Sequence, residues 1–279
     1  MKLLILSDIH GNQEALQAVL AKAAQTADIE ACILLGDIID YGMHSNEVIQ
    51  MIRNLPYPVL CNIRGNHEDA VIQDIYDRFS SERGRDCARY TRSILNQDSW
   101  DYICHEMEPL GMKEFSCGGK KCLAVHGSLE DMYWKSIKPE NICLDGGESE
   151  YSAWKQTGTS VVKPDSVAPD STALASMQPE LKYRDYDYIF SGHSHLPHFI
   201  EKYTACEDTR RRNKRKVIFI NPGSVGQPRN LNNMAQFAVL DTETEQVTFE
   251  KVRYNIQEEQ SAYHGQVDEF YRERLEWGI

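Results

Sequence analysis

The chain of 279 residues is 41% apolar and 26% charged, with 17 Gly and 10 Pro, a composition that excludes disordered and fibrous classes and suffices for one large core. Its 42 acidic and 30 basic side chains leave a formal charge of −12, which disfavours nucleic acid and anionic membranes as partners but still permits a phosphate site where metal ions invert the local field. No apolar run approaches the roughly 20 residues that cross a bilayer, and the first run leads directly into polar Asp8 without a signal-like core, so the expected location is cytoplasmic.

Short apolar runs alternate with stretches of helical spacing, the pattern of α/β architecture. Strands are predicted at 2–7, 31–35, 58–62, 112–117, 121–126, 187–191, 216–221, 235–241 and 245–253. Asn12 is placed to cap a helix with Leu16, Val19, Leu20 and Ala23 on one face, and Ser45 to cap another with Val48, Ile49 and Ile52. Gly118-Gly119 is placed to turn a hairpin. Residues 138–182, rich in Ser, Asp, Glu and Pro, form a candidate cap insertion. Nearby Tyr133, Trp134, Tyr151 and Trp154 either pack this segment onto the body or roof a site. The basic run from Arg210 to Lys216 reads as a solvated hairpin tip.

The last stretch, 256–279, puts Tyr263, Val267, Phe270, Tyr271 and Leu275 on one helical face, which docks on the body or builds a homo-oligomer. The eight cysteines contain no Cys-x-x-Cys pair and read as buried free thiols. Residues 1–279 are read as a single domain.

Five strand-like runs end in metal-ligand residue types: Asp8-Ile9-His10, Gly36-Asp37-Ile38-Ile39-Asp40, Gly65-Asn66-His67-Glu68, His126-Gly127 and Gly192-His193-Ser194-His195. In open α/β sheets the ligand crevice lies beyond the carboxyl ends of the strands, so these motifs are expected to converge on one rim. Imidazole, carboxylate and amide oxygen together suit borderline transition ions, and two such ions about 3.5–4 Å apart are equipped for phosphoester hydrolysis.

In this order the motifs resemble the calcineurin-like metallophosphoesterase family. Tyr41-Gly42, Asn46-Glu47 and the run from Asn221 to Arg229 resemble its small bacterial and archaeal phosphodiesterase-like branch. The resemblance implies a four-layer α/β/β/α sandwich holding two divalent or trivalent transition-metal ions, with Mn, Fe, Zn and Ni all compatible. It implies Asp8, His10 and His195 as ligands of the first ion and Asn66, His126 and His193 of the second. Asp37 would bridge the two, and a bridging hydroxide would attack phosphorus. His67 is implied as the proton donor to the leaving oxygen, Asp40 as the group that orients it, and Glu68 as a support of the loop.

One position departs from parts of the family. Protein Ser/Thr phosphatases and diadenosine-tetraphosphate hydrolases carry an arginine where this chain has Tyr41; Arg64 or Arg229 could supply the missing positive group, or each could form a structural ion pair. The implied function is hydrolysis of phosphodiesters or phosphomonoesters of small molecules. Alternatives are a protein Ser/Thr phosphatase, a nuclease, which the net charge disfavours, or a non-catalytic metal-binding interaction module of the same fold, against which the presence of His67 argues.

Overall fold

The computed structural model describes residues 1–144, 181–205 and 214–279. Most of the candidate cap, including Tyr151 and Trp154, lies outside the described residues, as does the start of the basic run from Arg210. Two five-stranded mixed sheets form the frame, one ordered β10-β9-β1-β2-β3 and the other β4-β5-β6-β8-β7. The first contains β1 (Lys2–Leu6), β2 (Ile29–Leu34), β3 (Val59–Asn62), β9 (Ala235–Asp241) and β10 (Gln246–Val252). The second contains β4 (Met112–Cys117), β5 (Lys120–Val125), β6 (Tyr188–Ser191), β7 (His198–Ala205) and β8 (Lys214–Asn221).

Alternation along the strands builds the layers. Leu4, Leu6, Cys32 and Leu34 point to a core shared with helices, whereas Leu3, Ile5, Ala31 and Ile33 point to a core between the sheets. The helical layer contains α1 (Gln13–Ala23), α2 (Ser45–Arg53), α3 (Asn66–Gln73), α4 (Glu82–Ile94) and α5 (Gln97–His105). Over the outer face of the second sheet, the described cover consists of Ile137, Tyr183 and Tyr186 with two single 3-10 turns.

Asn12 caps α1 as expected, its Oδ1 accepting from the Ala15 N–H at 2.9 Å. Ser45 does not cap α2: the cap position falls on His44, and Ser45 Oγ accepts from the Asp40 N–H at 3.2 Å. The hairpin turns at Gly118 and Gly119, both with positive φ. The edge strand β7 has no predicted counterpart; it follows Pro197 and leaves Phe199 and Tyr203 exposed, which dilutes its apolar signal.

The C-terminal stretch forms two short helices, α6 (Ile256–Ser261) and α7 (Phe270–Trp277), rather than one. Its apolar face does dock on the body: Tyr263, Tyr271 and Leu275 are buried with Tyr41 and Cys87. No helix among the described residues is long and apolar enough to cross a membrane.

Candidate metal centre

Strands β1, β2 and β3 run parallel, as do β5, β6 and β8. Their carboxyl ends therefore share a rim, and each ligand motif begins within a few residues of a strand end. The chain turns sharply there: Asp8, His10, Asp37, Asp40, His193 and His195 all have φ between 51° and 71°, a region that is costly for residues with a Cβ and accumulates at functional sites. Close approach of the loops needs Gly65, where a Cβ would stand 2.1 Å from Asp37 Oδ1.

Two ligand groups result. Asp8, His10, Asp37 and His195 offer atoms within 4.8 Å of one another, and Asp37, His126 and His193 form a second such group. Asp37 belongs to both. Backbone carbonyls fix the imidazoles: Nδ1 of His10 faces Ile39 O at 3.2 Å, that of His126 faces Leu35 O at 2.7 Å, and that of His195 faces Gln227 O at 2.5 Å. Each Nδ1 is thereby placed to donate to a carbonyl, which turns each Nε2 toward the cluster.

The inward nitrogens crowd one another and the carboxylates. His10 Nε2 lies 3.2 Å from His195 Nε2, and His126 Nε2 lies 3.2 Å from Asp37 Oδ2. Asn66 adds an amide whose oxygen is 3.0 Å from His126 Nε2 and 2.9 Å from His193 Nδ1. Turned over, this amide would donate to the same atoms; oxygen inward is the orientation a cation would select. Converging nitrogen and oxygen groups around two carboxylates could hold metal.

The electrostatics differ from ring to ring. Burial, reinforced by the neighbouring His67, holds the His10 pKa well below its ordinary value, and burial brings His193 down to about 4, so both rings are neutral ligands. His126 moves the other way, to about 9, because Asp37 outweighs its burial. Asp37 itself is held low despite burial by the surrounding imidazoles, chiefly His126.

The supporting atoms are equally specific. Glu68 is fully buried, and its carboxylate accepts from the N–H groups of Asp37 (2.8 Å), Ile38 (2.7 Å), Ile39 (3.1 Å) and Gly65 (2.7 Å). It is a brace for two ligand loops. His67, in the first turn of α3, sets Nδ1 2.6 Å from Asp40 Oδ2 and leaves Nε2 on the cluster side, 3.9 Å from Asp37 Oδ2. Burial opposes its charged form, but Asp37 and Asp40 together raise its pKa.

Of the two readings open for Arg64, the structure favours a structural role. It is buried, and its Nε and Nη2 each donate at 2.9 Å to the carbonyls of Ile103 and Cys104 at the end of α5, so its guanidinium serves the frame and is not free for a substrate. Arg229 is exposed, and its positive charge acts on His10 and His195.

Several contacts at the site escaped the sequence reading. Phe79 packs edge-on against His67 (5.0 Å) and Trp134 (5.2 Å). Thr91 Oγ1 donates to Asp40 Oδ1 at 2.8 Å. Asn221 Nδ2 donates to Gly192 O at 2.8 Å, steadying the loop that carries His193. Tyr133 and Trp134 pack onto the body, through Tyr133 Oη to Pro109 O and Trp134 against the helical core. Trp134 also lies at the rim, 6.4 Å from the His193 ring.

Residues 1–197 match the family model of the calcineurin-like phosphoesterases. The chain belongs to that family. As a calcineurin-like phosphoesterase it is 26% identical over 257 residues to an uncharacterized protein of Methanocaldococcus jannaschii, covering 90% of this chain and 87% of the relative. Its structure is similar to a metallophosphoesterase from Sphaerobacter thermophilus, with TM-score 0.66, 25% identity and complete coverage of both chains. It shares its fold with a hypothetical protein from Pyrococcus horikoshii OT3, with TM-score 0.69, 21% identity, and 100% and 98% of the two chains covered. Family and fold identify a metal-dependent hydrolase of phosphoesters, and the clustered Asp and His side chains supply groups that could hold its metal.

Proposed function

We propose that this chain hydrolyses phosphodiesters or phosphomonoesters of small molecules at a centre of two transition-metal ions. The observation that carries the reading is the pair of ligand groups joined by Asp37, with imidazole Nε2 atoms turned inward. Asp8, His10 and His195 would hold one ion, Asn66, His126 and His193 the other, and Asp37 both. When bound, such ions would neutralise the phosphoryl oxygens and acidify the water that attacks phosphorus.

The chain's own groups complete the reaction. His67 donates its Nε2 proton to the leaving oxygen as the P–O bond breaks, a role for which its raised pKa and its place beside the cluster suit it. Asp40 holds the ring through Nδ1, so that the acidic proton stands on the cluster side. Arg229 supplies the positive charge that Tyr41 does not.

The test is a side-by-side rate measurement on bis-p-nitrophenyl phosphate and p-nitrophenyl phosphate after loading with Mn²⁺. Hydrolysis of either supports the reading, and the faster one assigns diester or monoester preference. No turnover of either ester by metal-loaded protein would favour the non-catalytic module instead.

A further inference from the structure

The His67 ring is anchored at one atom and enclosed by other rings. Its one ring hydrogen bond among the described residues joins Nδ1 to Asp40 Oδ2 at 2.6 Å. A single bond of this kind selects the nitrogen that faces the ligand groups but leaves the imidazole plane free to turn about it. Neighbouring rings remove that freedom. Tyr41 packs edge-to-face with His67 at 4.5 Å and 70°, and Phe79, from the link between α3 and α4, does so at 5.0 Å and 73°. All three residues are buried, and edge-to-face contact is an arrangement in which aromatic pairs attract beyond the area they bury.

Tyr41 reaches this place through a costly backbone. It follows Asp40 directly, and the two residues have φ of 71° and 63°, a region that bulky side chains rarely occupy and that accumulates at functional sites. One dipeptide thereby presents a carboxylate and a ring to the same imidazole.

The C-terminal segment secures Tyr41 twice. Tyr263 Oη donates to Tyr41 O at 3.0 Å from 222 residues away in the chain, and Tyr271 of α7 stacks on the Tyr41 ring at 4.6 Å with an interplanar angle of 17°. Tyr271, Tyr41, His67 and Phe79 therefore form a continuous run of rings, with successive centroids 4.6, 4.5 and 5.0 Å apart.

We propose that Tyr41, backed by Tyr271 and acting together with Phe79, is a positioning residue that sets the plane of the His67 ring, a role that rests on the phosphoesterase reading with His67 as proton donor. In that step the P–O bonding pair stays with the leaving oxygen, which takes the Nε2 proton as the N–H bond breaks. An imidazole turned away from this line leaves the oxygen to depart as an anion. Esters of acidic phenols tolerate that loss, and esters of weaker acids do not.

The test compares kcat at saturating Mn²⁺ for bis-p-nitrophenyl phosphate, whose leaving group departs readily as an anion, and for diphenyl phosphate, whose leaving group needs the proton more. If monoesters are the faster substrates, p-nitrophenyl phosphate and phenyl phosphate take their place. Tyr41→Leu and Phe79→Leu should each lower kcat for the phenyl ester by about 10 to 10²-fold and for the nitrophenyl ester by about threefold or less, with KM little changed. Tyr271→Leu should shift the same ratio in the same direction by less, and Tyr41→Phe, which keeps the ring, should restore it. In a His67→Ala background, Tyr41→Leu should leave the ratio where His67→Ala alone puts it. Equal losses on the two esters, or a further change of the ratio without His67, would overturn the proposal. Phe79 packs in the helical core, apart from the C-terminal cluster, so its variant keeps the test open if Tyr41→Leu does not fold.

A second readout needs neither ester nor metal. The Nδ1 proton shared with Asp40 gives a nuclear magnetic resonance signal that His67→Ala removes, and Tyr41→Leu should speed its exchange with water by about tenfold. Unchanged exchange would count against the enclosure of the ring. A wild type that hydrolyses neither ester would end the phosphoesterase reading, while the exchange rate would still decide whether Tyr41 holds His67.

Discussion

Asp40 holds His67 from behind: its Oδ2 stands 2.6 Å from His67 Nδ1 while its Oδ1 accepts from Thr91 at 2.8 Å, and all three residues are buried. The carboxylate thus has one oxygen fixed by the frame and the other on the imidazole. Such an arrangement decides which ring nitrogen faces the metal ligands. His67→Ala should lower kcat by about 10² to 10⁴-fold while leaving metal content unchanged. Asp40→Asn should lower it less, by about 10 to 10²-fold, because the ring remains but its orientation is lost. Steady-state rates paired with metal analysis check both, and an unimpaired His67→Ala would remove the general-acid role.

Sharing of Asp37 makes metal content informative. His195 belongs only to the first ligand group, whereas Asp37 belongs to both. His195→Ala should therefore weaken one ion and spare the other, and Asp37→Asn should weaken both. Atomic absorption after gel filtration distinguishes the two; equal losses in the two variants would contradict the shared-carboxylate geometry.

Glu68 braces the loops that carry Asp37 and Asn66 through four backbone N–H groups. Glu68→Gln turns one acceptor into a donor that faces N–H groups in a buried site. The expected cost is about 2 to 4 kcal/mol of stability, with metal affinity falling by about 10 to 100-fold. Denaturant titration of the metal-free protein measures the first, and metal titration the second.

Away from the centre, His44 Nδ1 meets the buried carboxylate of Glu259 at 3.1 Å, tying the start of α2 to α6. That hydrogen bond, working against partial burial, raises the His44 pKa. A folded-state pKa above the unfolded value of about 6.5 gives stability that is full below that value and is lost as pH rises through the folded pKa. His44→Gln should cost about 1 kcal/mol at pH 5.5 and progressively less toward pH 9. A difference from wild type that is constant across this range would dismiss the charged pair.

What was legible in the sequence follows from range. Asp8, His10, Asp37, Asn66, His126, His193 and His195 stand at strand ends, where a local apolar run followed by polar residues marks the rim, and the structure brings them together. The support role of Glu68 was legible from its motif. Thr91 was not, because it reaches Asp40 across 51 residues and sits in α4 without any motif. The reading of 256–279 as one helix failed because helical spacing continues across the turn at Gly265, whose φ is 84°. The sequence left Arg64 open for a related reason: a basic residue beside a ligand motif faces the site or the frame according to tertiary contacts that neighbours in sequence do not reveal.

The central claim, hydrolysis by two ions gathered around Asp37, is tested most directly by titrating metal-free protein with Mn²⁺ while following bis-p-nitrophenyl phosphate hydrolysis. The account predicts no turnover without metal and activity that saturates when two ions are bound per chain. Turnover by the metal-free protein, or full activity with a single ion bound, would contradict it.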